Sequence, residues 1–124
     1  MKILCVDDSV TVHRIVSASL EVLNLEILAA KNGNEALNTL CDKHNEISLV
    51  LLDWNMPGMT GFEVLQKIKE NEDYKRIPVM MVTSEGNQEN MLKAIELGAA
   101  NYIIKPFAQE DLVAKVMQCL GQGV

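Results

Sequence analysis

Five short apolar runs punctuate the chain, and each stops abruptly at polar or turn-forming residues. Lys2 to Val6 (KILCV) runs into Asp7-Asp8-Ser9, and Ile27 to Ala30 stops at Lys31-Asn32-Gly33. Leu49 to Leu52 lies inside the stretch Ile47 to Gly61 (ISLVLLDWNMPGMTG) and ends on Asp53. Pro78 to Thr83 (PVMMVT) ends at Ser84-Glu85-Gly86, and Tyr102 to Ile104 at Lys105-Pro106. Runs this short and unbroken predict strands buried on both faces. Between them, apolar residues recur every three or four positions, the signature of helices with one buried face. Val12, Ile15, Val16, Ser19, Leu20 and Leu23 mark the inner face of a first helix, capped by Asp8 or Ser9. A second, from Asn34 to about His44, carries Ala36, Leu37, Leu40 and Cys41 inward. Phe62, Leu65 and Ile68 mark a third, which starts near Gly61. Met91, Leu92, Ala94 and Ile95 mark a fourth with Gly98 as its C-cap, and Leu112, Val113, Val116, Met117 and Leu120 a fifth.

Five strand–helix units in succession predict an α/β fold, with parallel strands, right-handed crossovers and helices on both faces. No linker or low-complexity tract interrupts them, so residues 1–124 are expected to form a single domain without an effector domain.

Composition narrows the function. A net charge of −6 disfavours non-specific binding to nucleic acid or to anionic membranes. No apolar stretch approaches the roughly 20 residues of a membrane span. The three cysteines, Cys5, Cys41 and Cys119, are widely spaced and form no CxxC. They are read as packing residues of a cytoplasmic protein, not as a disulfide framework or a zinc site.

The chemistry lies in what ends the strands. In an open parallel sheet the carboxyl ends share one edge, and ligands bind there. The first strand contributes Asp7 and Asp8, the third Asp53, the fourth Thr83 and Ser84, and the fifth Lys105. Three carboxylates on one edge repel, so they take up protons or bind a cation. An all-oxygen cluster favours Mg²⁺, and the lack of His or Cys in it argues against zinc. A metal on one side and Lys105 on the other would cradle a phosphoryl group, with the Thr83 hydroxyl in reach and Asp53 placed as a nucleophile. Each residue also has a plainer reading: Asp8 as a helix cap, Asp7 as a solvated loop acid, Thr83 as a strand end, Lys105 as a surface lysine. Asp53 resists one, because an acid that ends a buried strand has a desolvation cost to offset. The joint occurrence at four matching strand ends favours a site.

Asp7-Asp8, Asp53, Thr83 and Lys105-Pro106 resemble the signature of the receiver domains of two-component response regulators, over the whole chain. DWNMPGMTGFEVL (Asp53 to Leu65) and the closing Lys105-Pro106-Phe107 are most similar to the stand-alone chemotaxis regulators of that family. The resemblance implies a flavodoxin-like sheet in the order 2-1-3-4-5. It implies that Asp53 is the phosphoacceptor, and that Mg²⁺ is ligated by Asp8 directly, by Asp7 directly or through water, by Asp53 and by the backbone carbonyl of Asn55. Lys105 would pair with the phosphoryl group, Thr83 would swing toward it, and Tyr102 would move inward behind Thr83 as a switch. Packing alone would leave Tyr102 an ordinary half-buried residue. The Lys105–Pro106 bond would be cis. The donor would be a histidine kinase of the chemotaxis type. Output from a monomer would pass through the face of the fourth helix, fifth strand and fifth helix to a separate protein, such as a flagellar motor switch component. Asn55 and Glu85 resemble the pair that tunes dephosphorylation, and small Ser84 leaves the pocket open. Gly86-Asn87 stands where a lysine is more usual, and Glu89, Lys93 and Glu96 give the fourth helix a mixed outer charge. His13 and His44 are expected at the surface.

Other functions fit less well. A receiver in a phosphorelay outside chemotaxis keeps the same site. An aspartate-nucleophile phosphatase usually needs a second acid two residues after the nucleophile; here that position is Asn55, which cannot donate the proton. A flavodoxin-like cofactor binder would meet Asp7-Asp8 where its phosphate loop belongs, and these acids repel a phosphate.

Overall fold

The computed structural model describes residues 1–84 and 86–121. Five parallel strands form one sheet in the order β2-β1-β3-β4-β5. They are β1 (Lys2–Val6), β2 (Glu26–Ala30), β3 (Ile47–Leu52), β4 (Val79–Thr83) and β5 (Asn101–Ile104), alternating with α1 (Val10–Leu20), α2 (Gly33–Lys43), α3 (Gly61–Glu70), α4 (Gln88–Leu97) and α5 (Gln109–Gly121). The flavodoxin-like topology is as the family resemblance implies, with the switch of direction at β1 and β3.

The strands alternate their side chains between two cores. Leu4, Val6, Val50, Leu52, Val79 and Met81 meet α2, α3 and α4 on one face. Ile3, Cys5, Leu49, Leu51, Met80 and Val82 meet α1 and α5 on the other. Because both faces are covered, β1, β3 and β4 must be apolar throughout. β2 and β5 are the edge strands, and β2 is only partly buried.

Helix ends follow local chemistry. The Ser9 hydroxyl, not Asp8, caps α1 by accepting from the Val12 N–H, a contact generally worth about 1 kcal/mol. Asn32 caps α2, and Thr60 with Glu63 forms a capping box on α3. Gly98 closes α4 with φ of 119°, a left-handed conformation that suits glycine.

Several inward assignments are overturned. Ile15, Leu92, Ile95 and Met117 are 47%, 58%, 46% and 55% exposed. Cys41 is exposed as well. The short helices each bury a narrower line than their apolar stripe suggests: Val16 and Leu20 on α1, Ala36 and Leu40 on α2, Leu112, Val116 and Cys119 on α5. Cys41 follows Leu40, so it is turned about 100° away from that line. Leu23 lies in a separate 3-10 turn, Glu21–Leu23. On α4 only Ala94 is fully buried. His44 is half-buried instead of exposed, with Nδ1 3.0 Å from the Leu40 carbonyl oxygen and its ring against Tyr74.

Candidate functional site

The strand register carries the site residues to one rim. Val6 pairs with Leu52, so Asp7 and Asp53 follow side by side on neighbouring strands. Backbone bonds continue past the strand ends: Asp7 N–H donates to Ala30 at 3.0 Å, Asp53 N–H to Val6 at 3.0 Å, and Lys105 N–H to Thr83 at 2.9 Å. The side chains therefore start from fixed backbone. Asp7, Asp53 and Thr83 are buried, at 2%, 6% and 0% exposure, whereas Asp8 is exposed.

Asp7 is far from a solvated loop acid. Its Oδ1 accepts from the Ser9 N–H at 2.9 Å, and its Oδ2 accepts from Lys105 Nζ at 2.8 Å. The same ammonium lies 3.5 Å from Asp53 Oδ2. Burial alone would pull the Lys105 pKa down, but its contacts with Asp7 and Asp53 outweigh burial and raise it. Lys105 is thus a held cation, not a surface lysine.

Asp53 is the least compensated of the acids. Its pKa is raised, first by burial and then by the Asp7 charge; the Thr83 hydroxyl, the Lys105 ammonium and the Asn55 N–H act in the opposite direction. Its Oδ1 is buried and has no well-formed hydrogen bond among the described residues. One carboxylate oxygen from each of Asp7, Asp8 and Asp53 lies within 4.8 Å of the others. Two buried acids and one open to solvent make an oxygen-only cluster with an entry path, which suits a hard divalent ion such as Mg²⁺. The orphaned Asp53 oxygen shows that the protein alone does not satisfy the cluster.

The loop after β3 is drawn tight against Asp53. Gly61 N–H donates to the Trp54 carbonyl at 2.8 Å. A Cβ on Gly61 would lie 1.9 Å from the Asp53 carbonyl oxygen, so only glycine fits. This closure sets exposed Asn55 beside the acids, and Trp54 stacks obliquely on Phe62 at 5.4 Å.

Thr83 and Tyr102 share a face of the sheet. Met81 pairs with Tyr102 and Thr83 with Ile104, so all four project toward α3 and α4. Tyr102 is buried, at 7% exposure, where a half-buried ring was expected. The Lys105–Pro106 bond is cis. Ser84 is exposed, and Glu85 lies outside the described residues.

His13 is not the surface residue that the sequence suggests. It is half-buried, and its Nε2 is 2.7 Å from the Asp7 carbonyl oxygen. Helical spacing carries the signal, since residue 13 lies one turn before buried Val16 and shares its face. Among the cysteines, burial and the Asp7 charge push the Cys5 thiol up to about 12, and burial raises Cys119, so both are packing groups.

The parallel sheet, the acid cluster on its rim and the lysine that spans it define a class of signalling domain. The chain belongs to the response regulator receiver domain family, whose pattern matches residues 3–117. It is 39% identical to a chemotaxis protein CheY homolog of Campylobacter jejuni, over 99% of this chain and 95% of that protein. It is 36% identical to the phosphate regulon transcriptional regulatory protein PhoB of Pseudomonas aeruginosa, over 95% of this chain but 51% of that protein. Among solved structures, Vibrio cholerae chemotaxis protein CheY4 superposes with a TM-score of 0.88 at 33% identity, covering 96% of this chain and 98% of that one.

Proposed function

We propose that this receiver domain accepts a phosphoryl group on Asp53 from a histidine kinase, with Mg²⁺ bound, and so changes its affinity for a downstream effector. The observation that carries this reading is the bridging of Asp7 and Asp53 by Lys105 beside a three-carboxylate cluster. Asp7, Asp8, Asp53 and the Asn55 carbonyl would hold the metal. When bound, Mg²⁺ supplies positive charge that offsets the negative charge building between nucleophile and phosphoryl group. An Asp53 carboxylate oxygen attacks phosphorus. A P–O bond forms, the P–N bond of the phosphohistidine breaks, and the leaving imidazole nitrogen keeps the electron pair and takes a proton. Lys105 holds one phosphoryl oxygen and the Thr83 hydroxyl another. The domain catalyses this transfer on itself and also the attack of water on the acyl phosphate, which breaks the new P–O bond, releases inorganic phosphate and restores the Asp53 carboxylate; it turns over no other substrate.

Thr83 and Tyr102, on one face, would relay the event. Leu92 and Ile95 of α4 and Ile104 of β5 are exposed apolar groups on that side, and Met117 is exposed on α5. This α4–β5–α5 surface would meet the effector in a cytoplasmic pathway. The similarity to CheY proteins favours chemotaxis, with a chemotaxis-type kinase and a flagellar motor switch component as partners. The similarity to PhoB keeps a phosphorelay outside chemotaxis as the second reading.

Acetyl phosphate with Mg²⁺ is expected to raise the intact mass by about 80 Da, one phosphoryl group, and to change Trp54 fluorescence. Equal labelling of Asp53→Asn at the same site, or labelling that survives metal removal, would overturn the proposal.

A further inference from the structure

We propose that His13 is a positioning residue for the metal site, acting through the Asp7 carbonyl. The inference rests on the metal-binding reading above and names a residue outside the acid cluster on which that binding depends.

A carbonyl oxygen only accepts hydrogen bonds, so the ring nitrogen 2.7 Å from the Asp7 carbonyl must be the donor. The ring therefore carries a proton on Nε2. Its Nδ1 is buried and has no hydrogen-bond partner among the described residues. The imidazole thus spends its polar capacity on one contact, and that contact is the backbone of the acid pair.

That bond completes the immobilisation of Asp7. The residue's N–H is held by Ala30, its Oδ1 by the Ser9 N–H and its Oδ2 by Lys105. The one remaining group is the carbonyl, which belongs to the peptide linking Asp7 to Asp8. The chain turns there from β1 into α1, and Asp8 is exposed, its carboxylate making no hydrogen bond or ion pair among the described residues. Fixing the Asp7 carbonyl fixes the plane of that peptide, and the Ser9 N–H to Asp7 Oδ1 bond holds the peptide that follows, so rotation of Asp8 between them is restrained and with it the direction in which its Cα–Cβ bond leaves. A preorganised carboxylate binds a cation more tightly than one that must be ordered on binding. His13 itself stands on α1, whose start is fixed by the Ser9 cap and by the His13 N–H to Ser9 carbonyl bond of 3.3 Å. The ring is thus mounted on a regular element and holds an irregular one.

The test is Mg²⁺ titration of the full chain by Trp54 fluorescence, in wild type and three variants. His13→Phe keeps a ring but removes the donor. His13→Asn has an amide too short to reach. His13→Gln places an amide N–H near the former Nε2. Phe and Asn are expected to weaken Mg²⁺ binding about ten-fold, the lower end of what losing a partner behind a metal ligand costs, and Gln to stay within about two-fold of wild type. Unchanged affinity in Phe and Asn, or a Gln variant as weak as Asn, would overturn the role of His13. A wild-type protein that shows no Mg²⁺ response would instead overturn the metal reading itself. If the Phe variant does not fold, the Asn and Gln pair still decides the question.

Discussion

Lys105 Nζ sits 2.8 Å from Asp7 Oδ2, a bond between residues 98 positions apart. It is the only cation in contact with the acid cluster among the described residues. Replacing it with methionine leaves two buried carboxylates without their counter-charge. Lys105→Met is expected to lose on the order of 1–3 kcal/mol of stability at neutral pH without metal, discounted for the lysine's partial exposure. The same change removes a competitor for the acids, so Mg²⁺ should bind several-fold tighter. Urea denaturation and Trp54 titration read the two opposite effects.

Asp53 should make the metal-free fold sensitive to acid in an unusual direction. Its pKa is raised above 3.8 by burial and Asp7. Between 3.8 and that higher value, the folded chain holds a proton that the unfolded chain has released. Stability from this group is therefore greatest below the window and falls as pH rises through it. Asp53→Asn escapes the loss. Its stability gain should be absent below the window, grow as pH rises through it, and reach on the order of 1 kcal/mol at neutral pH. Denaturation midpoints across pH, without metal, measure it; a variant no more stable than wild type at pH 7 would refute the strain assigned to Asp53.

Mg²⁺ should reverse that balance. A ligand that binds only the folded state at a hundred times its dissociation constant adds about 2.7 kcal/mol. Thermal melts with and without Mg²⁺ are expected to show this increment in wild type and most of it lost in Asp8→Asn.

Gly61→Ala should be among the most damaging single methyl additions. The new carbon meets backbone, the Asp53 carbonyl at 1.9 Å, and backbone cannot swing aside as a flexible side chain does. A loss of more than about 2 kcal/mol is expected, the level diagnostic of a steric conflict with the main chain, together with weaker Mg²⁺ binding because Asn55 shifts.

The thiols offer a simple check on packing. Cys41 is exposed, while Cys5 and Cys119 are buried with raised pKa values. An aromatic disulfide reagent at pH 8 should titrate one thiol in the native protein and three after denaturation.

The sheet and the cluster were legible because both follow from pattern. A strand covered on two faces must be apolar without interruption, and a polar residue that ends such a run has to stand on the rim. That logic finds Asp7, Asp53, Thr83 and Lys105 from position alone. It misjudges Cys41, Leu92, Ile95 and Met117, because periodicity marks an apolar stripe but not how much of it a short helix can press onto a sheet. It also misses His13, whose role depends on a backbone carbonyl that has no residue-type signature. Tyr102 shows the same limit: its position on the Thr83 face is a matter of register, but the depth of its burial depends on how α4 lies over it.

The long span between Asp7 and Lys105 has a consequence for how the protein comes into being. During synthesis from the N-terminus, β1, β3 and their three acids emerge well before β5. Until residue 105 is in place, the cluster stands without its lysine, and β4 lacks its outer neighbour. The site is therefore among the last things the chain assembles, and a nascent or truncated form cannot present it with its charges balanced.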